Sequence, residues 1–105
     1  MANIVRGTTP TIRYTFSTID VADISVAKLV IKQYGSNKIE KELEDSTTGE
    51  NYIDWKLSQS ETLGLTEGAT AVIGLDWLLS DGTRGIGNSV GAMVTSSSIN
   101  EVIDE

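Results

Sequence analysis

Residues 57–65 read LSQSETLGL, and they interrupt a chain whose flanking segments alternate apolar and polar side chains as β-strands do. Ser58 and Glu61 have the spacing of a capping box, in which each side chain accepts a hydrogen bond from the other residue's backbone N–H. Gly64 follows where a short helix would end. We therefore predict one helical turn near residues 58–64 in a chain that otherwise forms strands.

Strand patterns lie on both sides of this turn. In TIRYTF, for example, Ile12, Tyr14 and Phe16 share one face and polar side chains share the other. Turn residues 35–37, together with the Asp81-Gly82 dipeptide, predict two hairpins. The strands predicted in this way cover residues 11–16, 26–34, 38–43, 52–57, 69–79 and roughly 84–97.

About six to eight short antiparallel strands with almost no helix are typical of an immunoglobulin-like β-sandwich. With 105 residues, the chain has enough length for one core, so we expect a single domain over residues 1–105. Residues 1–9 are a candidate extended arm, and residues 100–105 are expected to fray. Segment 57–65 is the predicted crossing between the two sheets, with Leu63 and Leu65 entering the core.

The amino-acid composition disfavours several classes of function. The formal net charge is −7, which disfavours binding to nucleic acid or to an anionic membrane surface. The chain has no cysteine and no histidine, so it lacks thiolates and the commonest general base and metal ligand. No stretch approaches the roughly 20 apolar residues of a membrane span, and the first residues do not resemble a signal peptide. We predict a protein that is not an enzyme and uses no cofactor or metal.

Several residues have both a functional and a structural interpretation. Ser58 and Ser60 could be nucleophiles, but no S-x-x-K motif or histidine base accompanies them, and helix capping explains the spacing directly. The acidic loop at residues 44–51 lacks the pattern of a calcium site and is better explained as a solvated loop. Trp55 and Trp77 could stack on a sugar, but both lie on apolar strand faces and are expected in the core.

The candidate partner contacts are two groups of residues. The first is the apolar start of the chain, which could pair with the domain's own last strand or with a neighbouring copy. The glycine- and serine-rich strand at residues 85–98 is expected to leave a sheet edge unprotected against pairing with another chain. By contrast, Lys28 and Lys32 are expected to protect the strand at residues 26–34 against such pairing. The second group is a pair of tyrosines on polar strand faces. The candidate residues are Ile4, Val5, Arg6, Tyr34 and Tyr52.

Three segments taken in order, RGTTPTIRYTF at 6–16, LSQSETLGL at 57–65 and LLSDGTRG at 78–85, resemble the immunoglobulin-like N-terminal domains of siphophage baseplate upper proteins. Thr8 departs from that pattern, where an acidic residue is frequent, and the helical and fibre-like portion that follows in those proteins has no counterpart within these residues. The resemblance implies a phage or prophage structural protein of the tail, baseplate or virion surface, not an activity.

The resemblance also implies that the protein docks to other virion proteins or to further copies of itself. It would be made in the host cytoplasm and then incorporated into the particle. The alternative function is a β-sandwich module that binds carbohydrate or a host surface through exposed tyrosines and acidic loops.

Overall fold

The computed structural model describes residues 2–87 and 89–96. Within these ranges the chain forms nine strands and one short α-helix, with 3₁₀ turns at Val21–Asp23 and Leu43–Asp45. In chain order the elements are β1 (Ala2–Val5), β2 (Thr11–Thr15), β3 (Ile24–Gln33), β4 (Ser36–Glu42), β5 (Thr47–Thr48), β6 (Tyr52–Lys56), α1 (Gln59–Leu63), β7 (Thr70–Leu79), β8 (Arg84–Ile86) and β9 (Val90–Thr95).

The strands form two sheets. A six-stranded sheet has the order β1-β9-β7-β3-β4, with β8 also paired to β7, and a three-stranded sheet has the order β2-β6-β5. In this arrangement β2, β6 and β5 correspond to the B, E and D strands of an immunoglobulin domain, while β9, β7, β3 and β4 correspond to the G, F, C and C′ strands of the variable type. The prediction of an all-β immunoglobulin-like sandwich with one helical turn is confirmed.

One strand pairing differs from the prediction of antiparallel strands. β1 runs parallel to β9, with Ala2 opposite Ala92 and Val5 opposite Thr95. Parallel neighbours need a long connection between them, and here nearly the whole domain provides it. The sequence left open whether the start of the chain pairs with its own last strand or with a neighbouring copy, because alternation along a strand indicates the buried face but neither the neighbouring strand nor its direction. The structure shows the first alternative, with parallel strands.

The core lies between the inward faces of the two sheets. Trp55 is completely buried there, and its indole Nε1–H donates a hydrogen bond of 2.9 Å to the carbonyl of Glu42. Trp77 packs against the same cluster and meets the ring of Phe16 edge-on, with centroids 5.1 Å apart. The prediction that both tryptophans pack in the core is therefore confirmed, with Trp77 half-buried.

The first hairpin turns one residue earlier than predicted. Gln33 is opposite Ser36, so the turn consists of Tyr34 and Gly35, which have φ angles of 54° and 75°. Positive φ at both central residues is the geometry of a two-residue turn that matches strand twist. The β3–β4 register shifts between Ile31 and Lys32, just before the turn. Next to this irregularity, the buried amide of Gln33 bonds to the loop after α1.

The predicted return strand is two strands, β8 and β9, which pair with different stretches of β7. β9 lies between β7 and β1, so the expectation of an unprotected edge at residues 85–98 is wrong for β9. Within the described residues, β8 pairs with β7 alone and does form an edge. β3 is an interior strand like β9, so Lys28 and Lys32 do not protect an edge. The edge on that side is β4, which carries lysines of its own at positions 38 and 41.

Candidate docking face

The helix α1 has the capping box that the sequence predicts. The Ser58 hydroxyl accepts a hydrogen bond of 3.1 Å from the Glu61 N–H, and the Ser58 N–H donates one of 2.8 Å to Glu61 Oε1. Gly64 follows as the C-terminal cap, as expected. The helix connects β6 in the smaller sheet to β7 in the larger one, so the prediction of a crossing at residues 57–65 is confirmed.

One residue of α1 has a role that the sequence did not reveal. Thr62 is completely buried, and its hydroxyl accepts a hydrogen bond from the Gly7 N–H and donates one to the carbonyl of Thr8. We expected Leu63 to enter the core; it is only half-buried, whereas Leu65 is buried as predicted. The helix therefore fixes the segment between β1 and β2 as well as changing the direction of the chain.

Three candidate contact residues lie in that N-terminal region. Ile4 is 5% exposed and belongs to the core beside Val94, while Val5 is half-buried in β1. The Arg6 guanidinium donates from Nη2 to the carbonyl of Leu63 at 2.9 Å. The structure thus places these three side chains against their own domain, where β1 pairs with the last described strand.

The two candidate tyrosines belong to different sheets. Tyr34, in the β3–β4 turn, is 79% exposed. Tyr52 is half-buried, and the Arg13 guanidinium lies 4.0 Å above its ring. Arg13 also holds Asp54 in a two-pronged ion pair of 2.8 and 2.9 Å. The hydrogen bond from Arg13 and its charge lower the pKa of the Asp54 carboxyl below its ordinary value, although its partial desolvation opposes the shift.

The strongest surface feature is the solvent-facing side of the six-stranded sheet, which we call the outer face. On this face the strand register places Val26 of β3 opposite Leu78 of β7, and Lys28 of β3 opposite Asp76 of β7. Asp76 is in turn opposite Ile86 on β8. The outer face exposes an unusual number of aliphatic side chains for a sheet surface. Its exposed apolar residues are Val26, Val72, Leu78, Ile86 and Met93.

A groove of about 630 Å³ runs along the outer face. Gly74, opposite Val30, forms part of its lining, and a Cβ atom built at Gly74 would meet nothing within 4 Å. Two ion pairs are part of its lining: Lys28 Nζ is 3.1 Å from Glu40, and Arg84 pairs with Asp76. The groove is thus a concave surface on which aliphatic and charged side chains alternate.

The sequence contains one indication that the outer face carries apolar side chains. Residues 69–79 bury one set of alternate side chains, as predicted, yet Val72 and Leu78 belong to the opposite set. A strand that is apolar on both faces is expected either to be covered on both sides or to meet a partner. The groove itself depends on the pairing of β3 with β7, which alternation along one strand does not specify.

Other classes of site find little support in the parts of the chain that the structure describes. No three acidic side chains among residues 2–87 and 89–96 come together in a way that would hold a metal ion. No helix within these ranges combines the length and apolar character needed to traverse a bilayer.

Strand order and site together define an immunoglobulin-like β-sandwich with an exposed aliphatic face on its larger sheet. Comparison with the models of known protein families and with curated proteins finds no match.

Proposed function

We propose that the protein is a non-enzymatic structural component of a phage or prophage virion, in the tail, baseplate or surface decoration, which acts by docking to other virion proteins. The observation that carries the proposal is the outer face, where Val26, Val72 and Ile86 are 53%, 43% and 70% exposed. These apolar side chains alternate with charged ones, such as Lys28 and Asp76. Exposed apolar side chains grouped on one face and bordered by polar residues are typical of a protein interaction site. Their removal from water would supply roughly 25 cal/mol per Å² of apolar area toward association.

The three motifs that carry the family resemblance also support the proposal, because each has a defined place in one framework. RGTT and LSQSETLGL contact each other through the Arg6–Leu63 and Gly7–Thr62 hydrogen bonds. SDGT forms the turn between β7 and β8, where Asp81 Oδ1 accepts a hydrogen bond of 2.9 Å from the Thr83 N–H. The resemblance is therefore one of framework, and since a framework by itself specifies no function, the proposal of docking rests on the outer face.

Mass spectrometry of purified particles tests the proposal. Particles of the phage or induced prophage that encodes the chain should contain it in a fixed ratio to the other structural proteins. That ratio should survive density-gradient purification and a high-salt wash, while an abundant host enzyme added as a control is removed. Absence of the chain from washed particles would contradict the proposal.

The alternative function, binding to carbohydrate or a host surface, rests on Tyr34 alone among the aromatic residues considered for it. Trp55 is buried, Trp77 packs on Phe16, and Tyr52 lies against Arg13. An NMR titration with host-wall oligosaccharides would support this alternative if it gave saturable shifts centred on the β3–β4 turn that Tyr34→Ala abolishes. Absence of shifts at saturating sugar would exclude it.

A further inference from the structure

We infer that the groove on the outer face binds an extended segment of another protein, rich in aliphatic and acidic residues, which lies along β7 and inserts a side chain over Gly74. This inference rests on the proposed docking function and specifies its partner. Three properties of the groove carry it: its shape, its lining and its charge.

The shape of the groove favours a narrow occupant. The open space over Gly74 can accept one side chain without any movement of the backbone. From Val72 to Leu78 the groove follows six residue steps of β7, which is about 20 Å at the rise of a strand. That length matches an extended segment of about six residues. Two such grooves facing each other would leave their hollows unfilled, which argues against a face-to-face pairing of two copies.

The lining of the groove favours aliphatic side chains. Val26, Val30, Val72 and Leu78 contribute branched hydrocarbon groups from two neighbouring strands. Trp77 is the one aromatic residue among the described residues of the lining, and its ring contacts Phe16 and Tyr14. A partner segment with valine, isoleucine or leucine at alternate positions would place those side chains against this lining.

The charge favours carboxylates. The described residues that line the groove include three basic ones, Lys28, Lys32 and Arg84, against two acidic ones, Glu40 and Asp76. The whole chain has the opposite balance, with 8 basic and 15 acidic residues. Lys32 has no ion pair within residues 2–87 and 89–96. Lys28 and Arg84 already pair with Glu40 and Asp76. An acidic side chain of a partner segment would therefore find its cationic group at Lys32, opposite Val72, in a chain that repels anions elsewhere.

Peptide binding to the full chain tests the inference. The probes are a labelled peptide EVIDVIE and two controls of equal length, KVIKVIK and ESSDSSE, followed by fluorescence anisotropy and by amide shifts in NMR. We expect saturable binding of EVIDVIE only, with the largest shifts at Val72, Gly74 and Lys32. Added salt should weaken this binding, because its charged contacts are exposed.

Two variants locate the binding site. Gly74→Leu fills the groove, Lys32→Glu reverses its charge at an exposed position, and each should lower the affinity for EVIDVIE at least tenfold. The control Thr15→Glu lies on β2 of the other sheet and should leave the affinity unchanged. Failure of EVIDVIE to bind, equal binding of KVIKVIK, or full affinity in both variants would overturn the inference.

The inference would also be overturned if the groove were occupied by another segment of this chain or by a second copy of it. The chain's own residues 99–105, INEVIDE, have an acidic and aliphatic composition. If Ile103→Ser moved the amide signals of Val72 and Gly74, the groove would belong to that segment. If those signals moved with protein concentration instead, it would belong to a second copy. Particle composition is measured in a separate experiment. If the peptide does not bind but the chain is present in particles, only this inference is rejected. If the peptide binds but the chain is absent from particles, only the proposed function is rejected.

Discussion

The hydroxyl of Thr62 accepts a hydrogen bond of 2.9 Å from the backbone N–H of Gly7 across 55 residues of sequence. The same hydroxyl donates to the carbonyl of Thr8 at 2.8 Å. Gly7 has a φ angle of 85°, in the left-handed region that favours glycine, and its N–H reaches the helix in this backbone conformation. Helix α1 therefore fixes the path by which the chain leaves the larger sheet and enters the smaller one.

Replacement of this hydroxyl should be costly. Thr62→Val keeps the shape but leaves the Gly7 N–H and the Thr8 carbonyl without their partner, so we expect the free energy of unfolding to fall by about 1–3 kcal/mol. Thr62→Ser keeps the hydroxyl and is the matched control, with a smaller loss from the missing methyl group. Urea denaturation measures both. A Thr62→Val protein as stable as the parent would show that water replaces the hydroxyl.

The N-terminal cap of α1 gives a second prediction. Ser58→Ala removes the acceptor for the Glu61 N–H, and we expect a loss of about 1 kcal/mol in the free energy of unfolding. Ser58→Asp retains an acceptor at this position and should restore most of the loss. Equal stability of the alanine and aspartate variants would contradict the capping role.

Glu61 makes stability dependent on pH. Burial alone would raise the pKa of Glu61, but hydrogen bonds from Lys41, whose Nζ is 2.7 Å away, and from the Ser58 N–H lower it below its ordinary value of 4.5. Since the folded pKa lies below the unfolded one, the stabilisation is present above the unfolded pKa and is lost as pH falls through the folded pKa.

We therefore expect Glu61→Gln to destabilise the protein by about 1 kcal/mol near neutral pH. The difference from the parent should shrink as the pH falls below the ordinary pKa of 4.5 and through the lowered pKa of Glu61 in the folded parent, where this carboxylate becomes protonated. Urea denaturation at several pH values measures this difference. The lowered pKa values of Asp54 and Asp81 affect both proteins alike and cancel in the comparison. A difference that stays constant down to pH 2 would show that the charge on Glu61 contributes nothing.

Gln33 is a buried polar residue, only 1% exposed, that the sequence did not single out. Its amide donates to the carbonyls of Thr66 and Ala69 and accepts from the Thr66 N–H at 2.7 Å. Gln33→Leu leaves these backbone groups unpaired, so we expect a loss of about 2–3 kcal/mol in the free energy of unfolding. Lys32→Leu, next to it on the solvent side, is the control and should change stability by less than about 0.5 kcal/mol.

Two strand glycines should respond in opposite ways to the same substitution. A Cβ atom at Gly85 would lie 2.5 Å from the ring of Trp77, which Phe16 and Tyr14 hold in place. We expect Gly85→Ala to lower the free energy of unfolding by about 1–3 kcal/mol through overpacking. Gly74→Ala meets open space and should be neutral or stabilising by up to about 1 kcal/mol. Thermal unfolding compares the two, and equal effects would contradict the assignment of Gly85 as a close-contact position.

The buried faces of the fold could be predicted from the sequence because they depend on local alternation. Residues 69–79, for instance, bury Ala71 and Leu75 as the pattern indicates. The capping box was also predictable, since its two residues are three positions apart. Two strand pairings were predictable as well, because the turn residues 35–37 and the Asp81-Gly82 dipeptide indicate the β3–β4 and β7–β8 hairpins. Pairings between strands distant in the chain were not determined by local pattern. The β1–β9 pair and the Val30–Gly74 register join residues distant in the chain, and the groove exists only through such pairings.

The candidate contact residues also show that local sequence patterns do not identify partners distant in the chain. Ile4 and Arg6 were singled out because they are apolar or charged near an expected free end, yet their partners within the domain, Val94 and Leu63, lie far along the chain. Tyr34 is exposed as expected but occupies a turn with positive φ, a conformation that alternation does not reveal.

The parallel pairing of β1 with β9 determines how the domain bears a pulling force. Because the chain enters at the base of β1 and leaves β9 at the opposite end of the pair, tension applied at residues 2 and 96 would slide the two strands past each other. In this sliding geometry the force acts on all the backbone pairings of the two strands at once. These run from Ala2–Ala92 to Val5–Thr95, and the Arg6–Thr95 hydrogen bond lies beyond them. Peeling would load these bonds one at a time, so the described domain has the geometry of a shear-resistant link.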